Sequence, residues 1–161
     1  MTLEELFDAH AQQVRRYFVR RLGDGSDPVV TADDLTGDVF VVAWRRRESI
    51  PDGAELPWLY AVARWVLANH RRRPTEVVVA DLGDVEEIDD ADPGYLVTED
   101  VALRTAWQQL SPRDREVLRL SAWEGLDGSA LATALGISVS GAGAALSRAR
   151  ARFREELAAQ M

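Results

Sequence analysis

An acidic stretch in the middle of the chain restricts the possible folds more than any other feature. Residues 74–100 hold ten acidic residues and no arginine, with two prolines, two glycines and no helical periodicity. A segment of this composition buries too little apolar surface to offset the entropy of ordering it. We therefore expect a flexible acidic linker at residues 74–99, between one domain at residues 1–73 and another at residues 100–161. The simplest role for this linker is a solvated spacer.

The rest of the composition excludes several classes of protein. The net charge of −8 comes from the acidic stretch, because residues 1–73 are balanced and residues 101–161 are slightly basic. With no cysteine, the chain cannot form a disulfide, a thiol nucleophile or a cysteine-ligated zinc site. No apolar run approaches the ~20 residues that a membrane span needs, and the first residues lack the pattern of a signal peptide. We expect a cytoplasmic protein without membrane contact.

The first domain is predicted to contain three amphipathic helices. Thr2 and Glu5 have the spacing of a capping box at the start of the first helix. Thr31 is the expected N-cap of the second helix, and a third helix is expected to begin near Pro57 and to end at Pro74. The apolar positions of the first helix are Leu3, Leu6, Phe7, His10, Val14 and Tyr17.

The apolar face of the second helix is unusually wide. Phe40, Val41 and Trp44 extend it beyond what one core contact requires. We therefore expect this helix to bury a second side against something else. The residues that form its apolar stripe toward the core are Leu35, Val39, Val42 and Ala43.

Stacking surfaces and positive charge alternate along the third helix, a combination typical of a groove for unpaired bases and phosphates. The residues concerned are Trp58, Tyr60, Arg64, Trp65, Asn69, Arg71 and Arg72. We expect Arg64, Trp65 and Asn69 to lie on the side opposite the core, where an exposed indole favours a stacking partner. The alternative is a solvated basic face without a ligand.

The second domain has the pattern of a helix-turn-helix unit. Ser111 and Pro112 fit the N-cap and the first position of a helix. Gly136 then separates two helical stretches by a short turn, and Leu131 and Leu135 are placed to hold the pair together. An ordinary helical hairpin would give part of the same pattern. The fold class is therefore all-α, with two small helical domains.

Carboxylates and histidines do not form a recognisable catalytic set. Asp33, Asp34 and Asp38 could share a magnesium–diphosphate site, but such a site needs a large helical cavity and a second carboxylate cluster. Helix capping and a polar helix face explain the same residues. His10 and His70 have no convincing partner in the sequence. We expect no enzyme activity, no cofactor and no metal.

Several stretches of the chain point to one family. The first domain contains residues 32–45 (ADDLTGDVFVVAWR) and 57–72 (PWLYAVARWVLANHRR), and the second contains residues 110–118 (LSPRDREVL), 124–126 (EGL), 135–138 (LGIS) and 146–150 (LSRAR). The first set resembles region 2, and the second set region 4, of bacterial extracytoplasmic-function (ECF) sigma factors of the sigma-70 family. The resemblance implies a dissociable initiation subunit of RNA polymerase, with a region 2-like three-helix domain and a region 4-like helix-turn-helix domain.

The resemblance also implies partners. In the family, the second helix docks on the clamp helices of the largest subunit of core RNA polymerase, and the flap of the second subunit is a further contact. Promoter DNA and an anti-sigma factor complete the implied partners, and the linker would run through a positively charged cleft of the polymerase, where its carboxylates would mimic nucleic acid. The implied polymerase-binding residues are Asp34, Leu35, Asp38, Phe40, Val41 and Trp44.

Two DNA contacts follow from the same resemblance. The loop at residues 47–56 and the third helix would capture the minus-ten element as an unpaired strand, through the seven third-helix residues named above. Trp65 departs from the family, which usually has a polar or basic side chain there. The helix-turn-helix residues implied at the minus-thirty-five element are Ser138, Ser140, Ala144, Ala145, Ser147, Arg148 and Arg150.

The recognition helix departs further from the family. Residues 140–145 (SGAGAA) offer almost no hydrogen-bond donors to bases, and each of the two glycines costs the helix about 1 kcal/mol relative to alanine. We therefore expect promoter choice to depend on the minus-ten element, a partner protein or DNA shape. The predicted function is an ECF sigma factor that directs polymerase to promoters and promotes their opening. The alternative is a sigma-like regulatory protein that binds polymerase or an anti-sigma factor with weakened promoter recognition.

Overall fold

The computed structural model describes residues 1–22, 28–72 and 100–160, and over these residues it contains helices and no strand. This confirms the all-α prediction. The predicted linker at residues 74–99 lies outside the described residues. The α-helices are α1 (Leu3–Arg21), α2 (Pro28–Arg45), α3 (Glu55–Arg72), α4 (Val101–Gln108), α5 (Pro112–Ala122), α6 (Gly128–Leu135) and α7 (Val139–Ala158), and a 3-10 turn (Arg47–Ser49) follows α2.

The chain divides into two compact units, one containing α1–α3 and the other α4–α7. The domain boundaries at residues 73 and 100 stay predictions. Within the described parts of the chain, no single helix is long and apolar enough to cross a bilayer.

In the first unit, each of the three helices packs against the other two. Val14, Phe18, Val39, Leu59 and Val66 have no measurable exposure and form the centre of its core. Helix α1 begins with the predicted capping box. There the Glu5 amide donates to the side-chain hydroxyl of residue 2 over 3.1 Å, and the Glu5 carboxylate accepts from that residue's amide over 2.8 Å.

Helix α2 begins earlier than the sequence pattern predicts. The predicted N-cap, Thr31, lies inside the helix, because α2 starts at Pro28. Proline suits the first helical position, where the missing N–H has no intrahelical acceptor to lose. As a result, Asp33 and Asp34 lie beyond the first turn of α2. The helix dipole favours carboxylates within the first turn, so it does little to stabilise these two.

In the second unit, α7 packs against α4, α5 and α6. The axes of α6 and α7 differ in direction by 91°, within the range of helix-turn-helix pairs. Gly136 ends α6 in the left-handed conformation with φ of 68°, which glycine adopts without steric cost. The Ser138 hydroxyl then caps α7 by accepting from the Gly141 amide over 3.0 Å. The predicted turn and the predicted Ser111 cap of α5, which accepts from the Asp114 amide, are both confirmed.

Candidate functional site

An open apolar groove runs between α1 and α2. Phe7 of α1 and Phe40 of α2 meet edge to face with ring centroids 4.9 Å apart, and Phe40 forms part of the groove floor. Phe7, Val41 and Trp44 leave 46%, 48% and 47% of their surfaces exposed. The residues that line this α1–α2 groove are Leu3, Glu4, Phe7, Asp8, Gly37, Phe40, Val41, Trp44 and Arg45.

The contribution of α1 to this groove is not predicted by the sequence pattern. The periodicity places Phe7 on the core stripe, whereas the structure turns it outward beside Phe40. A signal is nevertheless present in the sequence, because Leu3 and Phe7 are four residues apart and form a row offset from Leu6 and Val14. Two offset rows on one helix indicate two contacts rather than one.

The predicted polymerase-binding residues separate into two groups. Asp34, Val41 and Trp44 are exposed and Asp38 is partly exposed, so these four lie on the outer surface of α2. Leu35 is only 2% exposed and belongs to the core of the unit. Its placement on a partner-binding face is therefore wrong for this conformation, because that position of α2 points at the other two helices. Phe40 reaches the groove floor only.

Carboxylates line the groove on α1 and lie beside Gly37 on α2. Partial burial is the main cause that raises the pKa of Asp38 above its ordinary value of 3.8, and the neighbouring Asp34 carboxylate raises it further. His70 of α3 opposes these effects and lowers the pKa. Glu4 and Asp8 add two exposed carboxylates from the α1 side. The α1 side of the groove therefore favours a cationic group of a partner, whereas Arg45 of α2 adds a positive charge to the lining.

Trp44 is held in a fixed orientation at the end of α2. The Arg47 guanidinium lies over its indole ring, 4.3 Å from the ring centroid, and donates to the Trp44 carbonyl oxygen over 2.8 Å. This single side chain satisfies a carbonyl at the C-terminal end of the helix and stacks on the exposed ring. Trp44 is therefore presented as a rigid, half-exposed aromatic surface.

The predicted exposure of Arg64 and Trp65 is wrong. These side chains are 7% and 6% exposed, and Tyr60 is 3% exposed, with its ring 5.8 Å from that of Tyr17. The physical reason is that α3 packs against both α1 and α2, so that every residue from Val62 to Leu67 is buried. The sequence prediction assumed that α3 buries only one face, whereas other helices enclose α3 on two sides.

Most of the accessible part of the predicted minus-ten set lies at the C-terminal end of α3. Arg72 is exposed there and Asn69 and Arg71 are partly exposed, whereas the partly exposed Trp58 lies in the first turn of the helix. Arg71 also serves the fold, because its guanidinium donates to the carbonyl oxygen of Arg21 at the end of α1 over 3.2 Å. Positive charge thus concentrates in the last turn of α3, together with His70.

On α7, the predicted DNA-binding residues lie mostly on one outer face. Ser138, Ser140, Ala144, Ser147, Arg148 and Arg150 are exposed. Ala145 is 7% exposed and packs into the core of the second unit, so its predicted contact with DNA is wrong for this conformation. The cause is helical periodicity, because Ala142, Ala145 and Ala149 share the face of α7 that meets the neighbouring helices.

The arginines of α7 differ in how firmly contacts with other helices hold their side chains. Arg152 donates to both carboxylate oxygens of Asp114 on α5, over 2.9 and 3.0 Å, and thereby fastens α7 to α5. Arg150 reaches the Ser121 hydroxyl at 3.5 Å, a long contact. Arg148 is the exposed arginine closest to the start of the helix.

Among the residues that the structure describes, no three His, Cys, Asp or Glu side chains converge into a group that could hold a metal ion.

Comparison with protein families gives two matches along the chain. Residues 6–76 match the family model described as Sigma-70 region 2, and residues 100–153 match the one described as Sigma-70, region 4. The first match contains α2, α3, all but the first three residues of α1 and most of the groove residues, and the second contains α6 and most of α7.

Individual relatives agree with these matches. The ECF RNA polymerase sigma factor SigL of Mycobacterium tuberculosis is 31% identical over 140 residues, which cover 84% of this chain and 77% of SigL. The RNA polymerase sigma factor SigZ of Bacillus subtilis is 27% identical over 141 residues, covering 85% of this chain and 76% of SigZ. Among solved structures, the sigma factor RpoE in complex with the anti-sigma factor NepR, from Bartonella quintana, matches with a TM-score of 0.58 and 23% identity over 96% of this chain and 95% of RpoE. That likeness concerns the fold.

Proposed function

Because the chain belongs to the ECF group of sigma-70 family RNA polymerase sigma factors, we propose that three of its surfaces bind core polymerase and promoter DNA. The α1–α2 groove is the surface that binds core polymerase. As a sigma factor it directs core polymerase to promoters and promotes DNA opening. The alternative of a regulatory protein with weakened promoter recognition is not favoured. We further propose that it acts in the cytoplasm as an initiation factor, without catalytic chemistry of its own.

One observation supports the assignment of the groove to polymerase. Phe7, Val41 and Trp44 stand side by side, each close to half exposed. Leaving two aromatic rings and a valine exposed together is unfavourable, because each Å² of apolar surface left in water costs about 25 cal/mol. A partner that covers them recovers that free energy, and rigid aromatic residues at the centre of an interface commonly dominate binding.

The test compares two exposed valines of the first unit. Val41→Ser removes apolar surface from the groove, and Val19→Ser makes the same change on α1 at a position that does not line the groove. We expect Val41→Ser to weaken the affinity for purified core polymerase by about tenfold, since a central contact is worth more than about 1 kcal/mol. Val19→Ser should bind like the parent chain. Equal affinities for both variants would contradict the assignment.

For the minus-ten element, we propose that the last turn of α3 receives the unpaired strand. Asn69 offers an amide for base edges, and Arg72 offers an exposed guanidinium for phosphates. The partly exposed Trp58, in the first turn of the same helix, would offer a stacking surface further along the strand. The buried side chains of α3 would then support this surface without touching bases. These are Tyr60, Arg64 and Trp65. The loop at residues 47–56 remains part of the proposal as the neighbouring wall.

For the upstream element, we propose that α7 holds the DNA mainly by its backbone. Ser140, Ser147 and Arg148 are exposed along one face and suit phosphate oxygens. Ala144, on the same face, presents only a methyl group, which can touch the methyl group of thymine. Such a surface positions the duplex and discriminates weakly among bases.

An anti-sigma factor completes the proposed partners. RpoE, which shares the fold, was solved together with the anti-sigma factor NepR. In this chain the exposed apolar face of α1 and α2 is the surface that such a protein would have to cover in order to block polymerase. A binding competition between the two partners would then be expected.

A further inference from the structure

Gly37 occupies an unusual place in the middle of α2. A glycine in a helix interior is destabilising relative to alanine, because it has more conformational freedom to lose. Its backbone is not in the left-handed region that requires glycine at Gly53 and Gly136. A Cβ atom built on Gly37 would meet no atom within 4 Å. The fold of the unit therefore does not require a glycine at this position.

The position of Gly37 on the helix gives a reason for it. Gly37, Val41 and Trp44 are spaced so that they share one exposed face of α2, and all three line the α1–α2 groove. The face thus has a large apolar surface at one end and bare backbone at the other. Bare backbone lets another chain approach the helix axis more closely than the usual side-chain separation allows.

We propose that Gly37 is the point at which a helix of core polymerase crosses α2 at close range, and that it sets the contact distance of that interface. The proposal rests on the assignment of the groove to polymerase. The occupant is a polymerase helix that carries an apolar ridge with basic side chains beside it. The apolar ridge matches Val41 and Trp44, and the basic side chains match the exposed carboxylates of Glu4 and Asp8, which line the groove.

The experiment enlarges the residue at this position stepwise. Gly37→Ala and Gly37→Leu both introduce good helix formers, so both proteins should melt at a higher temperature than the parent chain. Affinity for core polymerase should fall in the order of side-chain size, by about tenfold or more for the leucine variant, because overpacking a fitted contact is unfavourable. Gly143→Ala is the matched control, since Gly143 is also a helical glycine with open space where a Cβ atom would lie. It should raise the melting temperature and leave the affinity for core polymerase unchanged.

The outcomes separate this inference from the proposed function. If Gly37→Leu binds core polymerase like the parent chain while Val41→Ser binds weakly, the groove is the docking surface but Gly37 is not its point of close approach. If neither change weakens binding, the assignment of the groove and the role of Gly37 both fail. A lower melting temperature for Gly37→Ala would overturn the premise that the fold tolerates a side chain there.

Discussion

At the scale of single residues, Asp38 illustrates a conflict between stability and binding. Its raised pKa, caused first by partial burial and then by Asp34, means that the folded chain holds this proton more tightly than the unfolded chain does. Between the ordinary value of 3.8 and the raised value, the folded state binds more protons, so stability falls as pH rises. At neutral pH, the ionised carboxylate is therefore a cost to the fold. A cationic partner at the groove edge would offset that cost.

Replacing this carboxylate by an amide tests the sign of the effect. Asp38→Asn should raise the free energy of unfolding at pH 7, because it removes a charge that burial and Asp34 disfavour. The gain should shrink as pH falls toward 3.8, where the parent carboxyl takes up its proton. Urea unfolding at a series of pH values measures both parts. A variant that is less stable than the parent chain at neutral pH would contradict this account.

At the scale of helices, some end signals were predictable and enclosure was not. The caps at Thr2 and Ser111 depend on neighbours within four residues, so the local sequence specifies them. The same kind of signal at Thr31 was misleading, because α2 begins at Pro28. Whether Trp65 is inside or outside depends on how many helices pack around α3, which no local pattern records. The same limitation applies to the groove, since it exists only where Phe7 of α1 meets α2. The sequence pattern predicts that each helix exists, but it does not predict which helices pack against one another.

The burial of Trp65 can be tested against its proposed supporting role. Trp65→Ala should lower the free energy of unfolding by about 3–5 kcal/mol, the usual cost of emptying a large aromatic site in a core. Arg72→Ala, at the exposed end of the same helix, should change it by less than about 0.5 kcal/mol and should weaken binding to the unpaired strand. Thermal or urea unfolding of both variants measures the contrast. Normal stability in Trp65→Ala together with loss of promoter opening would point instead to direct base contact.

At the scale of the whole molecule, charge is divided by function. The basic residues that are proposed to meet DNA lie at the end of α3 and along α7, in separate units. The carboxylates at the groove edge lie on the surface assigned to polymerase. The greatest density of carboxylates, at residues 74–100, lies between the units in sequence. The two-unit organisation was predictable from this distribution, because an acidic stretch without arginine separates two stretches of helical periodicity.

The acidic stretch leads to a prediction about assembly. Polymerase must hold nucleic acid in a positively charged cleft, and a strongly acidic segment is attracted to the same field. Replacing the acidic residues between positions 81 and 92 by their amides should therefore weaken the affinity for core polymerase and make it less sensitive to salt. A scrambled version of residues 81–92 with all its carboxylates serves as the control, and it should bind like the parent chain. Affinity and salt dependence that survive neutralisation would mean that the segment acts only as a spacer.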